Sequence, residues 1–191
     1  MVSLHVDPFH ANSVASEHSE DDIRRRYHDL FTGIGLLKDY DLKLHVDESV
    51  KPIAQPVRRT PLGLREKVGK KLDELLQADI IEEVPGGPSG WISPLVVVKS
   101  DFDVRVCVDM CHANDAIIRE RHLTLTVEEL LRDLSGSTVF TKVDLIWGFH
   151  QILLSEDSRH ITTFVTHRGL YRYKRLIFGV TAARRYCAEG L

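Results

Sequence analysis

The sequence predicts an α+β fold. Two β-rich runs, WISPLVVVKS and VRVCVDM, follow an amphipathic helix pattern, and ITTFVTHRGLYRYKRL predicts a second hairpin. These patterns do not alternate in the regular strand–helix–strand order that builds a parallel sheet. The chain has 191 residues, 43% hydrophobic and 28% charged, which is the composition of an ordinary globular protein of one large or two small domains.

The N-terminal part of the chain carries little periodicity. Residues 1–25 are polar and acidic, so we expect a disordered leader there. Residues 26–59 include KPIAQPVRR, in which each proline pushes the preceding residue toward extended geometry. We therefore expect an extended linker over 26–59.

The N-terminus, the length of the apolar runs and the cysteines together indicate the cellular compartment. The N-terminus lacks a basic region followed by a long apolar core, and runs such as PLVVV are too short to cross a bilayer. Cys107, Cys111 and Cys187 form an odd, scattered set that fits a reducing compartment. We expect an intracellular protein, cytoplasmic or nuclear, that is not secreted and has no membrane partner.

TPLGLREKVGKKLDELLQADI predicts the longest helix. Thr60 is a typical N-cap residue, and Pro61 fits the first helical position. Gly69 weakens the helix by about 1 kcal/mol relative to alanine. The apolar face expected to pack on the core consists of Leu64, Val68, Leu72, Leu75 and Leu76.

The valine-rich runs after this helix predict an antiparallel hairpin. Val104, Val106 and Val108 alternate with other residues, as in a half-buried strand, and the SDFD link to the preceding run is short. Val96 and Val98 belong to the partner strand. Lys99 and Arg105 are then expected near the hairpin tip.

Three further elements are predicted toward the C-terminus. TVEELLRDLSG predicts a short helix, with a capping box formed by Thr126 and Glu129 and with Gly136 past its end. TVFTKVDL predicts a strand, and the second hairpin has its tip at His167, Arg168 and Gly169.

Charge is unevenly distributed along the chain. No acidic residue occurs from Ser158 to Ala188, and this stretch fits either a polyanion partner or a solvated basic face. Its basic residues are Arg159, Arg168, Arg172, Lys174, Arg175, Arg184 and Arg185.

Asp144 is the strongest candidate for chemistry. It stands in FTKVDLIWGFHQILL, which predicts a buried strand, and a buried carboxylate without a partner or metal costs several kcal/mol. A zinc site at Cys107, Cys111 and His112 is disfavoured, because Cys107 is mid-strand and no second ligand pair follows.

Several motifs together resemble one known family. VDLIWGFHQILL, HITTFVTHRGLYRYKRLIFGV and DIIEEVPGGPSGWISPLVVVKSDFDVRVCVDM resemble the reverse transcriptase of gypsy-type LTR retrotransposons, a domain of the Pol polyprotein, from roughly Tyr27 to Val180. The resemblance implies an incomplete right-hand polymerase fold. Residues 60–139 would be a fingers-like region, and 140–191 a truncated palm.

The resemblance also implies a metal site and a sugar gate. Asp144 matches the first catalytic aspartate of D-x-x-x-x-[FY], a ligand of two Mg²⁺ ions, with the backbone carbonyl of Leu145 as a further ligand. Phe149 matches the aromatic residue under the incoming sugar, and Gly148 leaves room beside it.

The remaining implied residues contact nucleotide and template. Lys99 and Arg105 match the basic residues that clamp the incoming triphosphate. Phe178 and Gly179 match the [LM]-P-F-G-[LV] segment that packs against the templating base pair. The implied partners are an RNA or DNA template–primer and a dNTP, and the oligomeric state is left open.

The implied function is RNA-directed DNA polymerisation, from which this chain departs. It contains no [YF]-x-D-D motif, the source of the family's other two aspartates, so we expect the chain alone to be inactive. MCHAND replaces M-R-R-A-N-[ED], through changes typical of a decaying genomic copy. A non-enzymatic nucleic-acid-binding or interaction fragment and a functionless translated relic are the alternatives.

Overall fold

The computed structural model describes residues 2–5, 20–85, 90–99, 103–119, 127–136 and 142–181. The strands are β1 (Val2–His5), β2 (Asp41–Leu42), β3 (Ile81–Glu83), β4 (Ser93–Lys99), β5 (Val104–Val108), β6 (Lys142–Leu145), β7 (Leu153–Leu154), β8 (Phe164–Thr166) and β9 (Gly169–Tyr173). The helices are α1 (Glu20–Arg26), α2 (His28–Phe31), α3 (Leu62–Gln77), α4 (Cys111–Ala116), α5 (Val127–Asp133) and α6 (Glu156–Arg159), with 3₁₀ turns at Gly148–Gln151 and His160–Thr162.

The chain forms two compact units, each built from separated segments. Unit 1 comprises Met1–Gly35 and Arg121–Gly148, and unit 2 comprises Leu36–Glu120 and Phe149–Leu191. Residues 140–191, the predicted palm, contribute to both units, and the sequence-based domain boundaries stay predictions. A chain can cross between units in this way because compactness depends on contacts and not on sequence order.

A mixed five-stranded sheet organises unit 2, which confirms the α+β prediction. Its strand order is β3-β9-β8-β4-β5, and β4 and β8 are parallel while the other neighbours are antiparallel. The valine-rich hairpin is confirmed: β4 and β5 pair with Val98 opposite Arg105 and Lys99 opposite Val104. The second hairpin is also confirmed, with Thr166 opposite Gly169 across the turn at His167 and Arg168.

The long helix forms as predicted, although its start differs. Helix α3 begins at Leu62 with Pro61 as N-cap residue, and no side chain caps it. Thr60 is buried instead, and its carbonyl accepts a hydrogen bond from Arg65 Nε at 3.4 Å. The proline therefore sets the start of the helix through its fixed backbone angle. The residues that α3 buries are Val68, Gly69, Leu72 and Leu75.

Residues 41–58, which we call the strap, run along unit 2 in extended form. Strand β2 lies parallel to β7. The side chains of Leu42 and Leu44 are buried, at 3% and 4% exposure. Hydrogen bonds continue on either side of β2. They join Ser155 N to Leu42 O, Leu44 N to Ser158 Oγ, Ile118 N to His45 O, Asp47 N to Ala116 O, and Gln55 N to Ile92 O.

Apolar side chains of the sheet and of α3 meet in the core of unit 2. Leu72 and Ile80 are fully buried on the helix side, as are Phe164 and Leu176 on the sheet side. The Phe164 ring also contacts Tyr173, with ring centroids 5.4 Å apart. Each such side chain contributes about 1.5–3 kcal/mol through burial, so this core fixes the elements that carry the candidate site.

Unit 1 contains a small antiparallel pair and three short helices. Strand β1 pairs with β6, with Ser3 opposite Asp144. Strand β1 and most of helix α1 lie within residues 1–25, for which the sequence predicts a disordered leader.

The predicted helix at TVEELLRDLSG is present in unit 1. It spans Val127–Asp133, and Gly136 past its end has φ +87°, while the predicted cap Thr126 lies outside the described residues. In the part of the chain that the structure describes, every helix is too short or too polar to cross a membrane.

Candidate functional site

The β4–β5 hairpin brings two predicted residues to one end of the sheet in unit 2. Val104 and Val108 are buried on the inner face of β5, so the alternation of the strand turns Arg105 outward, where it is exposed. Lys99 is the last residue of β4 and pairs with Val104. Its side chain lies outside the described residues, so its role stays a prediction.

The chain leaves β5 through an anchored turn. Asp109 accepts the backbone N–H of Cys111 at 3.3 Å and a hydrogen bond from Arg58 of the strap. The contact with Cys111, with Arg58 adding to it, holds the pKa of Asp109 below its ordinary value. The turn therefore carries a charged carboxylate that fixes where α4 begins.

Two aromatic residues from distant parts of the sequence meet in unit 2. Phe149, in the 3₁₀ turn, and Phe178 have ring centroids 5.6 Å apart in an edge-to-face arrangement of 69°. Phe178 is 63% exposed, which is unusual for a phenylalanine. The structure thus brings together two of the predicted site residues and leaves one aromatic face open to a ligand.

Gly179 shapes the loop that presents Phe178. Its φ of +111° is a conformation that side-chain-bearing residues rarely adopt. A Cβ atom there would lie 3.9 Å from the carbonyl oxygen of Val108, at the end of β5. The loop therefore passes the base of the β4–β5 hairpin, three residues along β5 from Arg105.

Asn114 is a residue of this site that the sequence reasoning did not single out. Its Nδ2 donates to the carbonyl of Gly179 at 2.8 Å, and its Oδ1 accepts the N–H of Thr181 at 2.9 Å. The signal was present in the sequence, since MCHAND keeps the asparagine of the family motif while changing both arginines.

Three neighbouring side chains, those of His150, Tyr173 and Arg175, support the backbone beside Phe149. The imidazole of His150 stacks on Tyr173 at 6.2 Å, and its Nδ1 lies 3.0 Å from the carbonyl of Leu176, to which it donates when protonated there. Arg175 donates from Nη1 to the carbonyl of His150 at 2.9 Å and from Nε to that of Asp79 at 3.1 Å. Burial lowers the pKa of His150 and raises that of Tyr173.

The predicted metal-binding segment lies in unit 1. Asp144 and Leu145 are the last residues of β6, and the Asp144 side chain lies outside the described residues. A Cβ atom at Gly148 would lie 3.4 Å from Leu145 Cβ, which is van der Waals contact with the last residue of β6. Between them Trp147 has φ +61° and is half exposed.

Metal-ligand clusters are not found in the described part of the chain. There, no three histidine, cysteine, aspartate or glutamate residues lie together in a way that could hold an ion. Cys107, Cys111 and His112 are among the described residues that form no such cluster. The sequence-based expectation against a zinc site there stays a prediction. The roles predicted for Asp144 and for the Leu145 carbonyl stay predictions.

Basic side chains of the stretch after Ser158 form ion pairs within the described part of the protein, and the choice between a polyanion partner and a solvated basic face stays a prediction. Arg172 and Arg159 both contact Glu82, at 2.6 and 3.6 Å, and Arg168 contacts Asp73 at 2.7 Å. Lys174 pairs with Asp79. Sequence charge alone does not reveal these pairs, because the acidic partners stand far earlier in the chain: Asp73 on α3, Glu82 on β3, and Asp79 between the two elements. Arg184 and Arg185 lie outside the described residues.

Comparisons with curated proteins give matches that include Pol polyproteins of transposons. The chain is 30% identical over 149 residues to the retrovirus-related Pol polyprotein from transposon 412 and 30% identical over 140 residues to that from transposon gypsy, both of Drosophila melanogaster. The matches cover 74% and 70% of this chain but only 12% and 13% of those proteins. No protein-family model matches the chain.

Solved structures with a similar fold include foamy viral enzymes. A foamy viral protease–reverse transcriptase in complex with an RNA/DNA hybrid matches with a TM-score of 0.71 and 17% identity, over 87% of this chain and 23% of that one. A Prototype Foamy Virus protease–reverse transcriptase mutant matches with a TM-score of 0.72 and 18% identity, over 85% and 22%. At these identities the likeness concerns the fold.

Proposed function

Because this chain belongs to the retrovirus-related Pol polyproteins of transposons and has the fold of part of a reverse transcriptase, we propose that it is the part of an RNA-directed DNA polymerase that holds template–primer and incoming nucleotide. The observation that carries the proposal is the open Phe178 ring seated on Phe149 beside the end of β5. Strand β5 also bears the exposed Arg105, which lies three residues, or about 10 Å at 3.3 Å per residue, along the strand from Val108.

These residue types fit a nucleic-acid ligand. A guanidinium binds two phosphate oxygens at once, and its hydrogen bonds to phosphate are charge-assisted. An exposed aromatic ring offers a face or edge to a base or sugar, as in proteins that bind single-stranded nucleic acid. In this arrangement Arg105 and Lys99 contact the triphosphate, Phe149 lies beneath the sugar with Gly148 next to it, and Phe178 and Gly179 contact the template.

The ligands that this chain offers do not complete a site for two divalent metal ions. Two Mg²⁺ ions need several oxygen ligands and bridging charge, and they would supply charge neutralisation at the triphosphate. Among the family's three aspartates this chain holds Asp144, to which the Leu145 carbonyl adds one neutral ligand. That donor set does not fit two ions, so we propose nucleic-acid binding for this chain alone and no catalytic step.

Binding can be tested by fluorescence anisotropy with a labelled RNA–DNA primer–template. We expect Arg105→Ala and Phe178→Ala each to weaken binding about ten-fold. Arg105→Ala should also reduce the slope of log affinity against log salt concentration by about one, which corresponds to one lost phosphate contact. The matched controls are Lys70→Ala, an exposed cation on α3, and Leu62→Ala, an apolar side chain that is 75% exposed. Equal losses in variants and controls would place the nucleic acid elsewhere.

Primer extension on poly(rA)–oligo(dT) with Mg²⁺ or Mn²⁺ separates the enzyme from the alternatives. We expect no extension by the chain alone. Extension above a no-enzyme control that Asp144→Asn abolishes would contradict this. Specific binding without extension fits a nucleic-acid-binding fragment, and neither binding nor extension fits a translated relic without function.

A further inference from the structure

We propose that Asn114 is a positioning residue whose side-chain amide holds the loop that presents Phe178 to nucleic acid. The proposal rests on the proposed function and adds the means by which the aromatic surface is kept in place. Both bonds of Asn114 span more than 60 positions of sequence, which links α4 to residues 179–181. All of these residues belong to unit 2.

Helix α4 is a firm base for such a contact. Ala113 and Ala116 are buried at 1% and 0% exposure, so this short helix is packed against the unit along one side. The strap bonds to its end, since Ile118 N donates to His45 O at 2.8 Å. The turn at Asp109 holds its start. Asn114 therefore projects from an element that is fixed at both ends.

The chemistry of the contact requires a carboxamide. An amide side chain offers one donor and one acceptor, as a peptide group does, and here it pairs with the C=O of Gly179 and the N–H of Thr181. Aspartate has the same shape but no donor, and its carboxylate would face the Gly179 carbonyl. Alanine removes both bonds without adding charge.

The loop depends on this contact because its own backbone is permissive. Gly179 has wide conformational freedom, and the ring next to it is largely exposed. Val180 is 4% exposed and anchors the far side of the loop in the core. Removal of the Asn114 bonds should therefore free Phe178 to leave Phe149 while the loop stays attached.

The test is a double-mutant cycle on primer–template affinity. We expect Asn114→Ala and Asn114→Asp each to weaken binding about five- to ten-fold in the wild-type chain and less than about two-fold in a Phe178→Ala background. Asp115→Asn, an exposed neighbour on α4 that undergoes the reverse change of charge, is the control and should not weaken binding. Hydrogen exchange at the Thr181 amide reports the bond to Asn114 Oδ1 and should accelerate in Asn114→Ala, whereas Asn114→Asp keeps an acceptor for this amide and loses the bond to Gly179.

The possible outcomes distinguish failure of the positioning role from failure of the proposed function. Wild-type affinity in Asn114→Ala, or unchanged exchange at Thr181, overturns the positioning role alone. An equal loss of affinity with and without the Phe178 ring also overturns it, because Asn114 would then act through another contact. No binding by the wild-type chain overturns the proposed function and the positioning role with it. If Asn114→Asp does not fold, the alanine variant gives the same readouts.

Discussion

Replacement of Arg175 by methionine should destabilise unit 2 far more than the same change at the adjacent Lys174. Arg175 is 9% exposed and donates to two main-chain carbonyls, those of Asp79 and His150, which stand 96 and 25 positions earlier in the sequence. Methionine keeps the apolar stem of the side chain and removes the donors. Both carbonyls then lose a charged partner at a site that water reaches poorly.

The magnitude follows from burial and partner type. A hydrogen bond to a charged group contributes about 1.5–3 kcal/mol, and relief from burying the guanidinium offsets part of the total, so we expect a loss of about 2–4 kcal/mol. Lys174 makes an ion pair with an Asp79 carboxylate that is 62% exposed. Such surface pairs contribute about 0–1 kcal/mol.

Urea unfolding measures the difference. Trp91 is 5% exposed and reports unit 2, and a Trp147→Phe background removes the signal of the other tryptophan. With a slope of about 2 kcal/mol per molar urea, Arg175→Met should lower the midpoint by about 1–2 M and Lys174→Met by less than about 0.5 M. Equal shifts would refute the reasoning, because they would mean that water satisfies the two carbonyls.

Two other predictions concern the same unit. Burial lowers the pKa of His150, so the unfolded chain binds more protons, and stability should be full above about pH 6.5 and fall as pH drops below it. His150→Gln should flatten this dependence in urea unfolding, whereas equal slopes would contradict it. Gly69→Ala should raise stability by up to about 1 kcal/mol, because its Cβ would lie at an ordinary 3.6 Å from Arg168 Nη1. Gly63→Ala, at the exposed start of α3, should gain less, and a lower midpoint for Gly69→Ala would show that Arg168 cannot adjust.

The elements with strong local patterns could be predicted from the sequence. The valine alternation before and after Lys99 predicted the antiparallel β4–β5 hairpin, and the leucine spacing predicted α3. Patterns of this kind report which side of an element is buried, and burial is what fixes hairpins and amphipathic helices. They do not report the cap, which is why Thr60 was assigned wrongly.

Contacts between distant segments could not be predicted in the same way. The acids that engage Arg168 and Arg172 stand on α3 and β3, and no periodicity connects them with the basic stretch. The retained asparagine of MCHAND marks Asn114 as a candidate, but a single polar residue on a short helix has no pattern that predicts its partners. Family motifs pointed to Phe149 and Phe178 separately, and only the fold placed one ring on the other.

The strap has a consequence for synthesis on the ribosome. Its residues leave the exit tunnel early, but Leu44 bonds to Ser158, which is 114 positions later. At roughly 5–20 residues per second Leu44 waits about 6–23 s for Ser158, while the bonds of His45, Asp47 and Gln55 can form earlier. Contacts of such long sequence separation also form slowly once all partners are present. The nascent strap is therefore the segment of unit 2 on which a chaperone would act, and substitutions that add apolar surface there should lower the yield of folded chain more than its final stability.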